Sequence, residues 1–139
     1  TFHMSPMEMQ FLTGLGISIV LGFIIGLERE SRGKDAGIST HILVIGGSML
    51  FTMISAMVDP ASTSRIASQI IPGIGFLGAG LILKEGGNVH NLTTAASLWF
   101  SAAVGMAIGF GFYTIAIIAG VVCMLVPRIP GLRKDQVHH

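Results

Sequence analysis

The sequence has 139 residues, of which 51% are hydrophobic and 11% are charged, and its mean hydropathy is +0.76. A soluble domain has about a quarter of its residues charged, so this composition excludes an ordinary soluble globular domain and indicates a polytopic membrane protein. The net charge of +1 gives no bulk attraction to nucleic acid, and the single Cys123 excludes an internal disulfide framework or a cysteine-rich metal site.

Five apolar runs follow one another along the chain, and each is predicted to be a transmembrane helix. They cover about residues 9–27, 42–58, 65–83, 92–108 and 112–126. At about 1.5 Å per residue, the first is long enough to cross a hydrocarbon core of roughly 30 Å. The third reaches full length only if it includes the turn with Arg65 and Gln69. The sequence therefore predicts an all-α membrane protein, a bundle of five transmembrane helices in one domain over residues 1–134.

The distribution of Lys and Arg predicts the orientation of this bundle. Seven of the eight cations follow the first, third and fifth helices, and only Arg65 lies on the opposite side: Arg29, Arg32, Lys34, Lys84, Arg128, Arg133 and Lys134 form the majority group. By the positive-inside rule the N-terminus is outside and the C-terminus is cytoplasmic. The first run has no basic residue before it, so we expect a retained helix rather than a cleaved signal peptide. Residues 135–139 are predicted to be a tail that ends in a tag remnant.

Small residues recur at every fourth position on two of the helices. The first helix has Gly14, Ser18, Gly22 and Gly26, and the fourth has Ser101, Gly105 and Gly109. Such a ridge lets a second backbone approach closely. For the first helix, packing inside the protomer against the third or fourth helix is the favoured interpretation, and a dimer seam is the alternative.

Polar residues gather at the predicted cytoplasmic boundary. Glu28 directly follows Leu27 and can still lie at membrane depth, where a carboxylate is a functional candidate by default, with structural pairing as the equal alternative. Arg29 fits a solvated positive charge at the end of the helix, and Glu30 and Asp35 fit a solvated loop.

Five further polar residues lie on the same side. Thr40 and Asn91 are predicted to cap the second and fourth helices. His41 can titrate near neutrality or, as the less favoured alternative, bind a metal. Glu28, His41, Thr93 and Thr94 are all placed to converge on one polar pocket, the alternative being threonine hydroxyls that bond to their own helix.

The third helix is the most unusual stretch, because it combines Pro72 with four glycines, Gly73, Gly75, Gly78 and Gly80. The letters GIGFLG match a dinucleotide-binding fingerprint, but no parallel sheet accompanies them, so cofactor binding is rejected. A continuous helix would turn its glycine face inward and form the packing centre of the bundle. A break near Pro72 would instead free the backbone near Gln69 as an ion ligand.

The sequence also predicts one ion pair and one packed tryptophan. Arg65 needs a partner, and Asp59 is the nearest opposite charge on its side of the membrane, so the two are expected to pair. Trp99 lies too deep in the fourth helix for an interfacial belt and is expected to pack.

Four blocks of these residues together resemble the membrane domain of the MgtC/SapB family. They are GFIIGLERE at 22–30 with Lys34, Ala36, Gly37, Thr40 and His41; RIA at 65–67 with Gln69; GIGFLGAG at 73–80; and LTTAA at 92–96 with Trp99. The resemblance covers roughly residues 22–109, in the family's order. Pro72 departs from the small residue that the family more often has before GIGFLGAG.

The resemblance implies a bacterial inner-membrane protein associated with growth under magnesium limitation and with survival inside host cells. Longer members carry a soluble cytoplasmic domain after the last helix. The first hypothesis is a non-enzymatic protein that modulates other membrane proteins, since no nucleophile and base pair is readable. The alternative is a permease for magnesium or another cation, with Glu28 and Asp59 as candidate ligands, because Mg²⁺ needs only one or two carboxylates. The small-residue ridges also suggest a homodimer or larger assembly.

Overall fold

The computed structural model describes residues 1–85 and 88–131, and it is built almost entirely from helices. The helices are α1 (Pro6–Ser31), α2 (Ile38–Val58), α3 (Ile70–Leu81), α4 (Leu92–Gly109) and α5 (Tyr113–Leu125). Short 3-10 turns, Ala67–Gln69 and Val126–Arg128, precede α3 and follow α5. Arg133, Lys134 and the predicted tail at 135–139 lie outside the described residues.

The all-α class is therefore confirmed, and three helices, α1, α2 and α4, are long and apolar enough to cross a membrane. α1 extends past its apolar run at both ends. Ser5 and Glu8 form a reciprocal capping box at its start, and the chain stays helical through Ser31. α3 and α5 have only 12 and 13 residues. A short antiparallel hairpin, β1 (Leu83–Glu85) with β2 (Asn88–His90), joins α3 to α4 and was not predicted.

Successive helices run in opposite directions, which gives the bundle two distinct ends. At one end Arg29 of α1 contacts Thr94 at the start of α4, and Asn91 contacts the carbonyl of Leu81 at the end of α3. We call this the Arg29 end. At the other end, the Arg65 end, the Ser55 hydroxyl near the end of α2 accepts hydrogen bonds from the backbone N–H groups of residues 66 and 67, each at 3.1 Å.

α4 is the centre of the bundle, because it packs against each of the other four helices. Ten of its residues are buried. Two of its glycines allow α2 to approach at backbone distance: a Cβ on Gly109 would lie 2.6 Å from the carbonyl oxygen of Met49, and one on Gly105 would overlap that of Ile45. The small-residue ridge of α4 is thus used inside the protomer.

The ridge of α1 is also used internally, but its partner is α2, so the expectation that it packs against the third or fourth helix is wrong. A Cβ on Gly22 would lie 2.6 Å from the Cα of Ile42, and one on Gly26 would collide with the backbone of Ile38. Ser18 is fully buried and donates to the carbonyl of Gly14 at 2.8 Å. Since both ridges are filled within one protomer, neither is free to act as a dimer seam.

α3 decides between the two alternatives predicted for it. The helix is continuous through Pro72, which lies in its first turn, where a missing N–H is tolerated, so the alternative of a break near Pro72 is wrong. The prediction that its glycines form the packing centre is wrong. Only Gly78 packs, against Ala95, whereas Gly73, Gly75 and Gly80 have no atom within 4 Å of an added Cβ. α3 lies on the outside of the bundle and rests on α4.

Trp99 also differs from its prediction, because its side chain is 55% exposed on the outer face of α4. The neighbouring Leu98 is buried in its place. The inward face of α4 is taken by small residues, so the large indole faces the surroundings.

Candidate functional site

The main polar site lies at the Arg29 end, and Arg29 is its most buried charge. The side chain is 2% exposed, and Nη2 donates to Thr94 Oγ1 at 2.8 Å. Its Nε is buried and has no hydrogen-bond partner among the described residues. Burying a charge costs several kcal/mol unless it is fully paired. The expectation of a solvated Arg29 is therefore wrong.

Glu28 lies beside Arg29 on the last turns of α1 and is 5% exposed. Its Oε1 accepts a hydrogen bond from Arg128 Nε at 3.2 Å and lies 3.6 Å from Arg32 Nη1. Its Oε2 is buried and has no partner among the described residues. The carboxylate thus links the ends of α1 and α5 through Oε1.

His41 is fully buried where α1, α2 and α4 meet. Its Nδ1 lies 2.9 Å from the carbonyl oxygen of Gly37, and its Nε2 lies 3.2 Å from Ser97 Oγ. A carbonyl can only accept, so Nδ1 carries a proton and donates. Ser97 Oγ also lies 3.0 Å from the carbonyl oxygen of Thr94, and its single proton is shared between that oxygen and Nε2, which connects His41 to the partner of Arg29.

The polar cluster, as we call it from here, consists of side chains from four helices. Its members are Glu28, Arg29, His41, Thr94, Ser97 and Cys123. Cys123 contributes a buried thiol 3.7 Å from the carbonyl oxygen of Ser97. Thr93, the other threonine expected here, is exposed and borders a groove of about 210 Å³ between α4 and α5. Across the described residues no group of three or more His, Cys, Asp or Glu side chains could hold a metal ion.

The predicted caps are replaced by other contacts. Gly37 is the N-cap of α2, and Glu30 Oε1 accepts the N–H of Ile38 at 3.0 Å, so the capping role given to Thr40 is wrong. Asn91 does occupy the N-cap position of α4, but its side chain makes no capping bond. Its Nδ2 donates instead to Asp35 Oδ2 at 2.9 Å. Both acidic residues thus fix the loops at the Arg29 end.

The remaining candidates lie at the Arg65 end. Arg65 Nη1 is 3.9 Å from Asp59 Oδ2, and the Arg65 side chain is 79% exposed. Gln69, one turn further on, is exposed and borders a groove between α2 and α3. Asp59 caps the C-terminus of the 21-residue α2, whereas Glu28 lies near its start. The two are therefore about 30 Å apart and cannot ligate one ion.

Sequence reasoning missed Ser97 and Arg128 as members or neighbours of this site. Ser97 was hidden because nothing in the sequence pairs it with His41, 56 positions earlier. The burial of Arg29 did have a signal. Gly22, Gly26 and Arg29 follow one another at four- and three-residue steps, so Arg29 continues the inward face of α1.

Comparison with known proteins shows a family to which the chain is similar. The model of the MgtC family matches residues 15–130. A protein named "Putative magnesium transporter YhiD" from Escherichia coli K12 is 41% identical over 135 residues, which are 88% of this chain and 61% of that protein.

Two relatives named Protein MgtC are similar to the same extent. That of Salmonella typhimurium LT2 is 43% identical over 114 residues, covering 82% of this chain and 49% of its own length. That of Brucella abortus strain 2308 is 49% identical over 105 residues, covering 75% of this chain and 44% of its own length. The chain thus spans about half the length of the curated relatives it matches. No solved structure matches it.

Proposed function

The chain belongs to the MgtC family, and on that premise we propose that it supports adaptation to magnesium limitation and intracellular survival by modulating other membrane proteins. In this proposal it is a multi-pass protein of the bacterial inner membrane with five spans. Its Arg29 end, which includes the C-terminus of α5, faces the cytoplasm, and its N-terminus lies outside. The proposed action is non-enzymatic and depends on contacts with the lipid bilayer and with partner membrane proteins.

The observation that carries the proposal is the state of Glu28. Its Oε1 is engaged by Arg128 at 3.2 Å, with Arg32 at 3.6 Å, so two guanidinium groups already oppose its charge. A carboxylate in that setting attracts a cation weakly, because the nearby positive charges repel it. The second candidate ligand, Asp59, lies at the other end of α2. The geometry therefore favours a polar cluster that fixes the helix ends over a chain of cation ligands.

Magnesium uptake into liposomes tests this proposal directly. The purified chain is reconstituted and Mg²⁺ entry is followed with an entrapped fluorescent indicator, for the wild type and Glu28→Gln. We expect no uptake above that of protein-free liposomes in either case. In parallel, cells that depend on the protein for growth in low magnesium should lose growth with Arg29→Met while the variant remains in the membrane. Uptake by the wild type that disappears in Glu28→Gln would refute the modulating role as the main one.

A permease for magnesium or another cation is the second candidate, and two observations favour it. The relative YhiD is named as a magnesium transporter. The buried Oε2 of Glu28 has no partner among the described residues and could accept one Mg²⁺-bound water. The same liposome experiment distinguishes the two functions, since the permease requires uptake.

Topology and assembly are tested separately. A reporter fused after α5 should read out as cytoplasmic, and an external signal would overturn the orientation. Assembly into a homodimer or larger oligomer would need surfaces other than the two ridges filled within the protomer. Light scattering in mild detergent measures the mass of the protein, and a monomer would remove oligomerisation from the proposal.

A further inference from the structure

A lateral groove of about 640 Å³ lies between α2 and α3, with α4 as its floor. It exists because α3 rests on α4, and α3 buries only Ile74 and Gly78. Its walls are apolar, with Leu43, Val44 and Phe51 on α2 and Ile70 and Leu77 on α3. Gly47 and Gly73 widen it, since neither has an atom within 4 Å of an added Cβ. An apolar slot of this kind is open to the hydrocarbon side of the bundle.

A charge pair lies beyond the residues that line the groove, at the Arg65 end. Gln69 borders the groove, and Arg65 lies one turn before it. Arg65 Nη1 and Asp59 Oδ2 are 3.9 Å apart, and neither side chain has another hydrogen bond among the described residues. Arg65 is the only Lys or Arg at this end of the described chain. Both charged groups therefore retain free donors or acceptors, and Arg65 directly precedes Ile66, which lines the apolar slot.

We propose that this groove binds a phospholipid whose head group carries a phosphate next to a primary ammonium. One acyl chain lies between α2 and α3, the phosphate accepts from Arg65, and the ammonium donates to Asp59. The match is one of charge: a cation and an anion 3.9 Å apart complement a head group with the opposite two charges. A head group with a net negative charge would be attracted by Arg65 but repelled by Asp59. A quaternary ammonium has no N–H that could donate a hydrogen bond to Asp59.

The dimensions of the groove favour an acyl chain over a helix of another protein. Its α2 wall runs from Thr40 to Phe51, which is about 16 Å at the rise of an α-helix. A volume of about 640 Å³ over that length gives a mean cross-section of about 40 Å², roughly half of what a helix of 10 Å diameter needs. An extended hydrocarbon chain is much thinner than a helix and enters without displacing α3.

Native mass spectrometry of the full chain in mild detergent tests the proposal. The protein is titrated with dioleoyl phosphatidylethanolamine, phosphatidylcholine or phosphatidylglycerol, and the lipid-bound fraction is measured. We expect phosphatidylethanolamine to bind about fivefold more tightly than either other lipid, the ratio that corresponds to about 1 kcal/mol for an exposed charge contact. Asp59→Asn should abolish the preference over phosphatidylcholine, whereas Lys34→Gln, at the other end of the bundle, should leave it unchanged.

A pair of glycine variants tests the place of the acyl chain. Gly73→Leu fills the groove, whereas Gly75→Leu adds the same side chain to α3 outside it, and both positions have open space around an added Cβ. Gly73→Leu should lower phosphatidylethanolamine binding at least fivefold, and Gly75→Leu should bind as the wild type does. Both should keep the helical circular dichroism of the wild type, since leucine is the better helix former.

Three outcomes would overturn the proposal. Equal binding of the three lipids would remove the head-group recognition. An equal loss of phosphatidylethanolamine binding in Gly73→Leu and Gly75→Leu would show that the groove is not the binding site. A lower oligomeric mass of Gly73→Leu would show that a protein surface occupies the groove instead.

Discussion

Replacing Thr94 by valine should expose how the buried charge of Arg29 is held. The Thr94 hydroxyl is the hydrogen-bond partner of the guanidinium at 2.8 Å, and the neighbouring Nε has no partner within the part of the chain that the structure describes. A hydrogen bond to a charged group contributes about 1.5–3 kcal/mol, and leaving a buried charge without a partner costs at least as much. We therefore expect Thr94→Val to lower the free energy of unfolding by about 2 kcal/mol.

A double-mutant cycle isolates that contact. In an Arg29→Met background the charge is gone, so Thr94→Val should cost about 0.5 kcal/mol or less, which leaves a coupling energy of about 1.5 kcal/mol. Arg29→Met by itself need not destabilise, because it removes the desolvation cost of a buried ion. The unfolding equilibrium in mixed detergent micelles can be followed through the fluorescence of Trp99, the only tryptophan.

Thr93→Val is the matched control, because the adjacent Thr93 is exposed on the same turn of α4. It should change the free energy of unfolding by less than about 0.5 kcal/mol. A coupling energy near zero, or equal effects of Thr93→Val and Thr94→Val, would refute the argument that the hydroxyl of Thr94 stabilises the guanidinium.

Three further changes test the packing and the Arg65 end, all by the same unfolding equilibrium. Gly22→Val should lower the free energy of unfolding by about 3 kcal/mol or more through the clash with α2, whereas Gly16→Val, in open space, should leave it nearly unchanged. Equal effects of the two variants would contradict the close approach of α1 and α2. Ser55→Ala should cost about 2 kcal/mol, because two backbone N–H groups lose their acceptor; a cost below about 0.5 would mean that water replaces the hydroxyl. Arg65→Gln should cost less than about 1 kcal/mol, since its pair is exposed and long, and a larger loss would show a buried role.

The parts of the fold that depend on local pattern could be predicted. Apolar runs located all five helices, because a long stretch of such residues is stable only as a helix in lipid. The ridge through Gly22 and Gly26 was assigned to close packing within the protomer, and α2 fills it. These features depend on one helix and its face, which the sequence spacing determines.

The role of α3 could not be predicted in this way. Glycine spacing indicates that a backbone can approach, but it does not say whether one does. Gly73 and Gly75 lie on parts of α3 that no other helix reaches, whereas Gly105 and Gly109 of α4 contact the α2 backbone. The difference arises from which helix is central, and that depends on the contacts of all five.

The polar cluster could be predicted only in part, because the direction of each helix follows from the sequence but its rotation depends on packing. His41 and Thr94 were placed near each other by the alternating direction of the helices, and the structure brings both to Arg29. The exposure of Thr93 follows from the rotation of α4, which is set by the side chains that α4 buries against α2. One residue of rotation exchanges the roles of two adjacent threonines, so composition and order alone could not separate them.

The burial of Arg29 and the close packing of α1 are consequences of one helical face. Gly22 and Gly26 bring the backbone of α2 against α1, and the next position on that face, three residues on, is Arg29. At such a distance the guanidinium cannot turn outward without separating the two helices, so it must find its partners inside the bundle. The glycine ridge therefore fixes the geometry of the polar cluster, and a variant that widens the α1–α2 contact should release Arg29 from Thr94 even though it alters no polar side chain.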